Sequence, residues 1–189
     1  MPTVSNTLFF GWSVSGLPDS DADGIGELVI GIPGGSHSCG VGSTAGIFSG
    51  GPGSFLVDLG CSTFPAGVFG WRVSPSADLD NDGIDDFLVG IPAYFGAARV
   101  QAFSGATFSL IHDITEGATT GFTWHLQGAA EVASIGDIDG DGVADIAAGN
   151  PTANWVRVYS GQTGAFLTTI LDPCICLLYT SPSPRDGTK

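Results

Sequence analysis

Basic residues are nearly missing from this 189-residue chain: five Lys plus Arg stand against 19 Asp plus Glu, a formal net charge of −14. No basic patch exists to meet phosphates, which speaks against nucleic acid as a partner. Long hydrophobic runs are missing as well. No stretch of 18 apolar residues occurs, so no membrane span is expected. The opening MPTVSNTLFF lacks the basic start and long apolar core of a secretory signal. Lys, Arg and Glu, the usual helix formers, are scarce, while glycine reaches 30 residues. That balance argues for short strands and tight turns. With no helix in sight, no glycine-rich phosphate loop can open one.

Catalytic chemistry is thin too. His37, His112 and His125 share no local pattern. Ser36-His37-Ser38-Cys39 lies in a Gly/Ser-rich loop, without the strand–turn–helix context that a hydrolase serine requires. It reads as an ordinary loop. Cys39 and Cys61 fit either a disulfide in an oxidising compartment or two unpaired small core residues.

What the chain does contain is a threefold acidic motif. DSDADGIGE runs from Asp19 to Glu27, DLDNDGIDD from Asp78 to Asp86, and DIDGDGVAD from Asp137 to Asp145, each beginning 59 residues after the last. Carboxylates recur at positions 1, 3, 5 and 9, and Gly24, Gly83 and Gly142 hold position 6. Hard cations such as calcium take six to eight oxygen ligands, which alternate residues of a tight loop can supply. Four like charges on nine residues repel unless a cation neutralises them. The expected ligands are Asp19, Asp21, Asp23 and Glu27 in the first loop. Asp78, Asp80, Asp82 and Asp86 serve the second, and Asp137, Asp139, Asp141 and Asp145 the third. Position 7 adds a backbone carbonyl from Ile25, Ile84 and Val143. The expectation is about three Ca2+ ions, one per loop. Asp85 is read as a solvent-facing neighbour.

The loops are not of the helix–loop–helix kind. That motif needs a bidentate Glu at position 12, where this chain has Ile30, Val89 and Ala148. The residues that follow, ELVIGI, DFLVGI and DIAAGN, predict a strand closed by Gly-x-Pro. Position 9 must therefore close the site.

The loops sit in a longer repeat. Phe10-Gly11-Trp12 and Phe69-Gly70-Trp71 open the first two units. In the third, Phe122-Thr123-Trp124 comes six residues early, so either an insertion precedes the loop or the opening strand has drifted. Gly31-Ile32-Pro33, Gly90-Ile91-Pro92 and Gly149-Asn150-Pro151 follow the loops. A strand ending in Phe48-Ser49-Gly50, Phe103-Ser104-Gly105 or Tyr159-Ser160-Gly161 comes next, and a last short apolar strand ends each unit. Four short strands per unit predict all-β propeller blades packed face to face. The aromatic, Gly-x-Pro and Ser-Gly residues are read as scaffold.

FGWSV…DSDADGIGELVIGIP and FGWRV…DLDNDGIDDFLVGIP together resemble the FG-GAP repeat of integrin α-subunit propellers and their bacterial relatives. The resemblance covers roughly residues 8–172; the third copy keeps its loop and Gly-x-Pro but loses Phe-Gly. It implies a propeller whose calcium loops join adjacent strands of one blade. The role it implies is extracellular: a secreted or surface module for adhesion or ligand binding, non-catalytic, with an unknown protein or glycan as ligand. The alternative is an accessory propeller of a secreted hydrolase, and a third possibility is a structural matrix protein. Closed propellers have about four to eight blades, so three units suggest that further blades of the same longer chain are partners.

The repeats are expected at 1–60, 61–118 and 119–175. CLLYTSPSPRD, from Cys176 to Asp186, shares nothing with them and is similar to the translation of a transposase adapter used in preparing sequencing libraries. Residues 176–189 are set apart as a non-native adapter-derived tail, and Cys174 lies beside it at the end of the third repeat. The loop 34–46 and the stretch 115–128 are the candidate ligand-binding segments.

Overall fold

The computed structural model describes residues 9–33, 36–37, 40–41, 44–59, 68–92, 97–116 and 131–172. Three four-stranded antiparallel sheets account for most of them. Blade 1 holds β1 (Ser13–Gly16), β2 (Leu28–Ile32), β5 (Thr44–Phe48) and β6 (Phe55–Asp58) in that order. A two-residue pair, β3 (Ser36–His37) with β4 (Gly40–Val41), lies between β2 and β5 in sequence. Blade 2 runs β7 (Arg72–Pro75), β8 (Phe87–Ile91), β9 (Arg99–Phe103), β10 (Leu110–Thr115). Blade 3 runs β11 (Glu131–Ser134), β12 (Ile146–Asn150), β13 (Trp155–Tyr159), β14 (Phe166–Leu171). Among the described residues there is no helix, and the all-β blade architecture is as the sequence predicts.

Register follows the repeat. Ser13 pairs with Gly31, Arg72 with Gly90 and Glu131 with Gly149, each 59 residues on. The opening strand of the third blade therefore keeps its place at Glu131. Phe122 and Trp124 lie outside the described residues, as do Cys39, Cys61, Cys174, the tail, and the expected repeat boundaries at 60/61, 118/119 and 175/176.

Strand alternation explains the core. Along β8, Phe87, Val89 and Ile91 point into a cluster with Val29, Ala45 and Ile47 of blade 1. Leu88, between them, points the other way, with Val100 and Ala102, into a second cluster with Val132, Ile146 and Ala148 of blade 3. A strand buried on both faces reads as a continuous apolar run, and FLVGI is one. Phe87 stacks on Phe103 at 5.5 Å between centroids within blade 2, and Trp12 of blade 1 meets Trp71 of blade 2 at 4.7 Å, so the first junction is aromatic. Polar links lace the second. The Arg72 guanidinium meets Glu131 at 2.8 Å, His112 Nε2 donates to the Gly161 carbonyl at 2.7 Å, and the Tyr159 hydroxyl donates to Glu116 at 3.4 Å.

Candidate metal centres

Each acidic loop joins the first two strands of its blade: β1 to β2, β7 to β8, β11 to β12. The backbone is bent alike in all three. Position 4 is left-handed at Ala22, Asn81 and Gly140 (φ 62°, 59° and 83°), and position 6 at Gly24, Gly83 and Gly142 (φ 88°, 92° and 92°). Only glycine enters the latter region without strain, which accounts for its place there. The first carboxylate holds the bend, because the N–H of each position-6 glycine donates to Asp19, Asp78 or Asp137 at 2.8–2.9 Å.

Three carboxylates converge in each loop. Asp19, Asp21 and Glu27 bring one oxygen each within 4.8 Å of one another, as do Asp78, Asp80 and Asp86, and Asp137, Asp139 and Asp145. Positions 1 and 3 lie toward solvent, and position 9 is buried beneath them. Position 5 stands outside these triads. Asp23, Asp82 and Asp141 each accept the N–H of position 7 at 2.8 Å, from Ile25, Ile84 and Val143. Asp85 is exposed, as read from the sequence.

The buried carboxylate does structural work. Asp86 accepts N–H bonds from Leu79 at 2.7 Å and Gly105 at 2.9 Å, and Asp145 from Ile138 at 2.7 Å and Gly161 at 3.1 Å. It thus ties the loop to the Ser-Gly turn between the third and fourth strands. A Cβ on Gly105 would lie 2.0 Å from the Asp85 carbonyl, and one on Gly161 1.8 Å from that of Ala144, so the turn needs glycine to let the loop approach. Sequence reading took Ser-Gly as a turn and missed this anchoring. No fixed spacing signals it, since the glycine follows position 9 by 19 residues in blade 2 and 16 in blade 3. In blade 1 the longer Glu27 carboxylate accepts, among the described residues, only from the Ser20 N–H, and its buried Oε1 has no hydrogen-bond partner there.

Electrostatics within a loop pull neighbours apart. N–H groups of Gly142 and Gly140 hold Asp137 below the ordinary carboxylate range. Asp139 is pushed up by loss of hydration and by Asp141, Asp145 and Asp137. Burial raises Asp86 despite its two N–H bonds, and Asp80 and Asp78 add to the rise. A clustered, oxygen-only donor set with one buried, unpartnered carboxylate oxygen fits a hard divalent cation. Among the described residues these triads are the groups of three or more metal-type side chains.

The FG-GAP-like repeat model matches residues 78–148, from the second acidic loop to β12. Integrin alpha-5 of Xenopus laevis is 30% identical over 168 residues, 82% of this chain and 15% of that protein. The chain is an FG-GAP, integrin-like repeat protein. Integrin alpha-8 of Mus musculus is likewise 30% identical over 175 residues, 85% of the chain and 16% of the relative. Integrin alpha-3 of Cricetulus griseus is 37% identical over 89 residues, 44% of the chain and 8% of the relative. This FG-GAP chain thus spans about one sixth of the length of the integrin alpha-5 and alpha-8 chains that it matches. No described helix is long and apolar enough to cross a membrane.

Proposed function

We propose that this integrin-like module binds about three Ca2+ ions and acts outside the cell as a non-catalytic adhesion or ligand-binding unit. The observation that carries the reading is the threefold triad, with the same bend, the same bond from the position-6 glycine to the first aspartate and a buried position 9 in each blade. Asp19, Asp21 and Glu27 would hold the first ion, Asp78, Asp80 and Asp86 the second, and Asp137, Asp139 and Asp145 the third. Asp23, Asp82 and Asp141 and the carbonyls of Ile25, Ile84 and Val143 would complete the shells. A bound cation would cancel the self-repulsion of each loop and lock the connection between its two strands. Sites of this kind in extracellular modules bind at roughly 10⁻⁴–10⁻³ M, which fills them outside a cell and empties them inside.

The ligand, a protein or glycan, would be met at the other end of the blades. The candidate segments 34–46 and 115–128 lead from β2 into β5 and from β10 toward β11, on the side of those strands away from the acidic loops. On this reading metal stiffens one end while the connecting segments read a partner at the other. Further repeats of a longer chain would extend the array. The deciding experiment is a calorimetric calcium titration with melting curves in calcium and in chelator. Three ions per chain and a raised Tm are expected, with one ion fewer in Asp80→Ala. No heat and no change in Tm on a folded sample would sink the reading.

A further inference from the structure

The three acidic loops share a bend but differ in the state of their buried carboxylate. In blades 2 and 3 both oxygens of that group are engaged. Asp86 accepts the Leu79 N–H on Oδ2 and the Gly105 N–H on Oδ1. Asp145 accepts those of Ile138 and Gly161 in the same way. In blade 1, Glu27 is just as buried, at 1% exposed. Its Oε2 accepts the Ser20 N–H at 2.9 Å, while Oε1 has no hydrogen-bond partner among the described residues.

The turn beside it does not stand further off. A Cβ on Gly50 would lie 2.0 Å from the Gly26 carbonyl, as one on Gly105 would from that of Asp85. The Ser-Gly turn thus approaches the loop equally in blades 1 and 2, and the difference lies in the extra methylene of Glu27. A second oxygen of this loop is in the same state. Ser20 Oγ, at position 2, is buried without a hydrogen-bond partner, where blades 2 and 3 carry the apolar Leu79 and Ile138. Loop 1 therefore buries two unsatisfied oxygens, and among the described residues loops 2 and 3 bury none.

A buried carboxylate oxygen without a partner raises the energy of the metal-free state, and a bound cation removes that penalty. Glu27 is placed for this, since one of its oxygens lies within 4.8 Å of oxygens from Asp19 and Asp21. Asp86 and Asp145 are already stabilised by two N–H groups each, so a cation gains less from them. A further free oxygen also favours calcium over magnesium. Calcium accepts six to eight oxygens, whereas magnesium demands an octahedron and keeps several waters. We propose, resting on the Ca2+ reading above, that the three loops are unequal and that Glu27 makes the first the tightest and the most calcium-selective.

The test is a calorimetric titration of the full chain with calcium chloride, alone and in excess magnesium chloride. One ion should bind roughly tenfold or more tighter than the other two, and magnesium should weaken it least. Asp21→Ala should remove the tight step and leave the two weaker ones. Asp80→Ala and Asp139→Ala should each remove a weak step and leave the tight one. Glu27→Asp gives position 9 the residue that blades 2 and 3 carry there. It should keep its circular dichroism spectrum and three ions but lose the tight step. Three equal ions in the wild type, or a tight step that survives Asp21→Ala or Glu27→Asp, would overturn the proposal while leaving calcium binding in place. No calcium heat on a folded chain would instead remove the metal reading itself, and this inference with it.

Discussion

Blade 2 and the two blades beside it carry the same pattern, yet their side chains live in different solvents. Val73 is 5% exposed in blade 2 while Val14, at the same register in blade 1, is 55% exposed; Ile114 and its blade 3 counterpart Ile170 stand at 7% and 57%. Nothing local separates the members of these pairs. Blade 2 has a neighbour on each face and the others have one within the described residues. The comparison teaches that in a stacked repeat burial belongs to the junction rather than to the blade.

The largest test of that view sets Phe87 against Phe10. Phe87 is fully buried, so Phe87→Ala should cost about 3–5 kcal/mol in chemical denaturation. Phe10→Ala should cost under about 1 kcal/mol. Equal costs would mean that the outer face of blade 1 is already covered. A smaller contrast uses Gly31 and Gly149, which hold the same register position in blades 1 and 3. Gly31→Ala forces a methyl against the Gly70 carbonyl and should destabilise by about 1–3 kcal/mol. Gly149→Ala meets no such obstacle and should be neutral or slightly stabilising, since alanine restricts the unfolded chain; a loss of stability there would show a hidden neighbour.

The smallest contrast is one of pH, and it belongs to the middle loop. Asp86 has a folded pKa above its ordinary value of 3.8, chiefly through burial. Protonation therefore favours the folded state, and the stability it lends is full below about pH 3.8 and lost as pH rises through the raised value. In chelator, the wild type should thus fall relative to Asp86→Asn over that window, by about 1–2 °C in Tm. Saturating calcium should reverse the slope, because a cation favours the ionised form. Parallel curves in both conditions would remove Asp86 from the site.

The repeat, the strand order and the register were legible because the residues that set them are close in sequence and recur at a fixed interval. DIDGDGVAD marks a bend as surely as it marks charge. Even the third blade, which lacks its Phe-Gly, could be placed from Glu131 by the interval alone. Alternation could not tell Asp23, Asp82 and Asp141 from the three carboxylates that converge, because an aspartate that caps its own turn looks the same in a sequence as one turned inward. The Ser-Gly anchoring and the seat at Gly31 were not legible for a related reason. Each joins residues well apart in the chain, Gly105 to Asp86 and Gly70 to Gly31, with no local signature beyond a glycine.

The seat at Gly31 lies in one unit and the turn that fills it, Phe69-Gly70, opens the next. Units 1 and 2 thus each carry one half of this joint. Duplicating a whole 59-residue unit that carries both the seat and the Phe-Gly turn leaves each such joint with both halves, whereas a cut through the middle of a unit orphans one. Such an array can lengthen or shorten by copying errors alone, with no new surface to invent, provided that the errors keep step with the repeat.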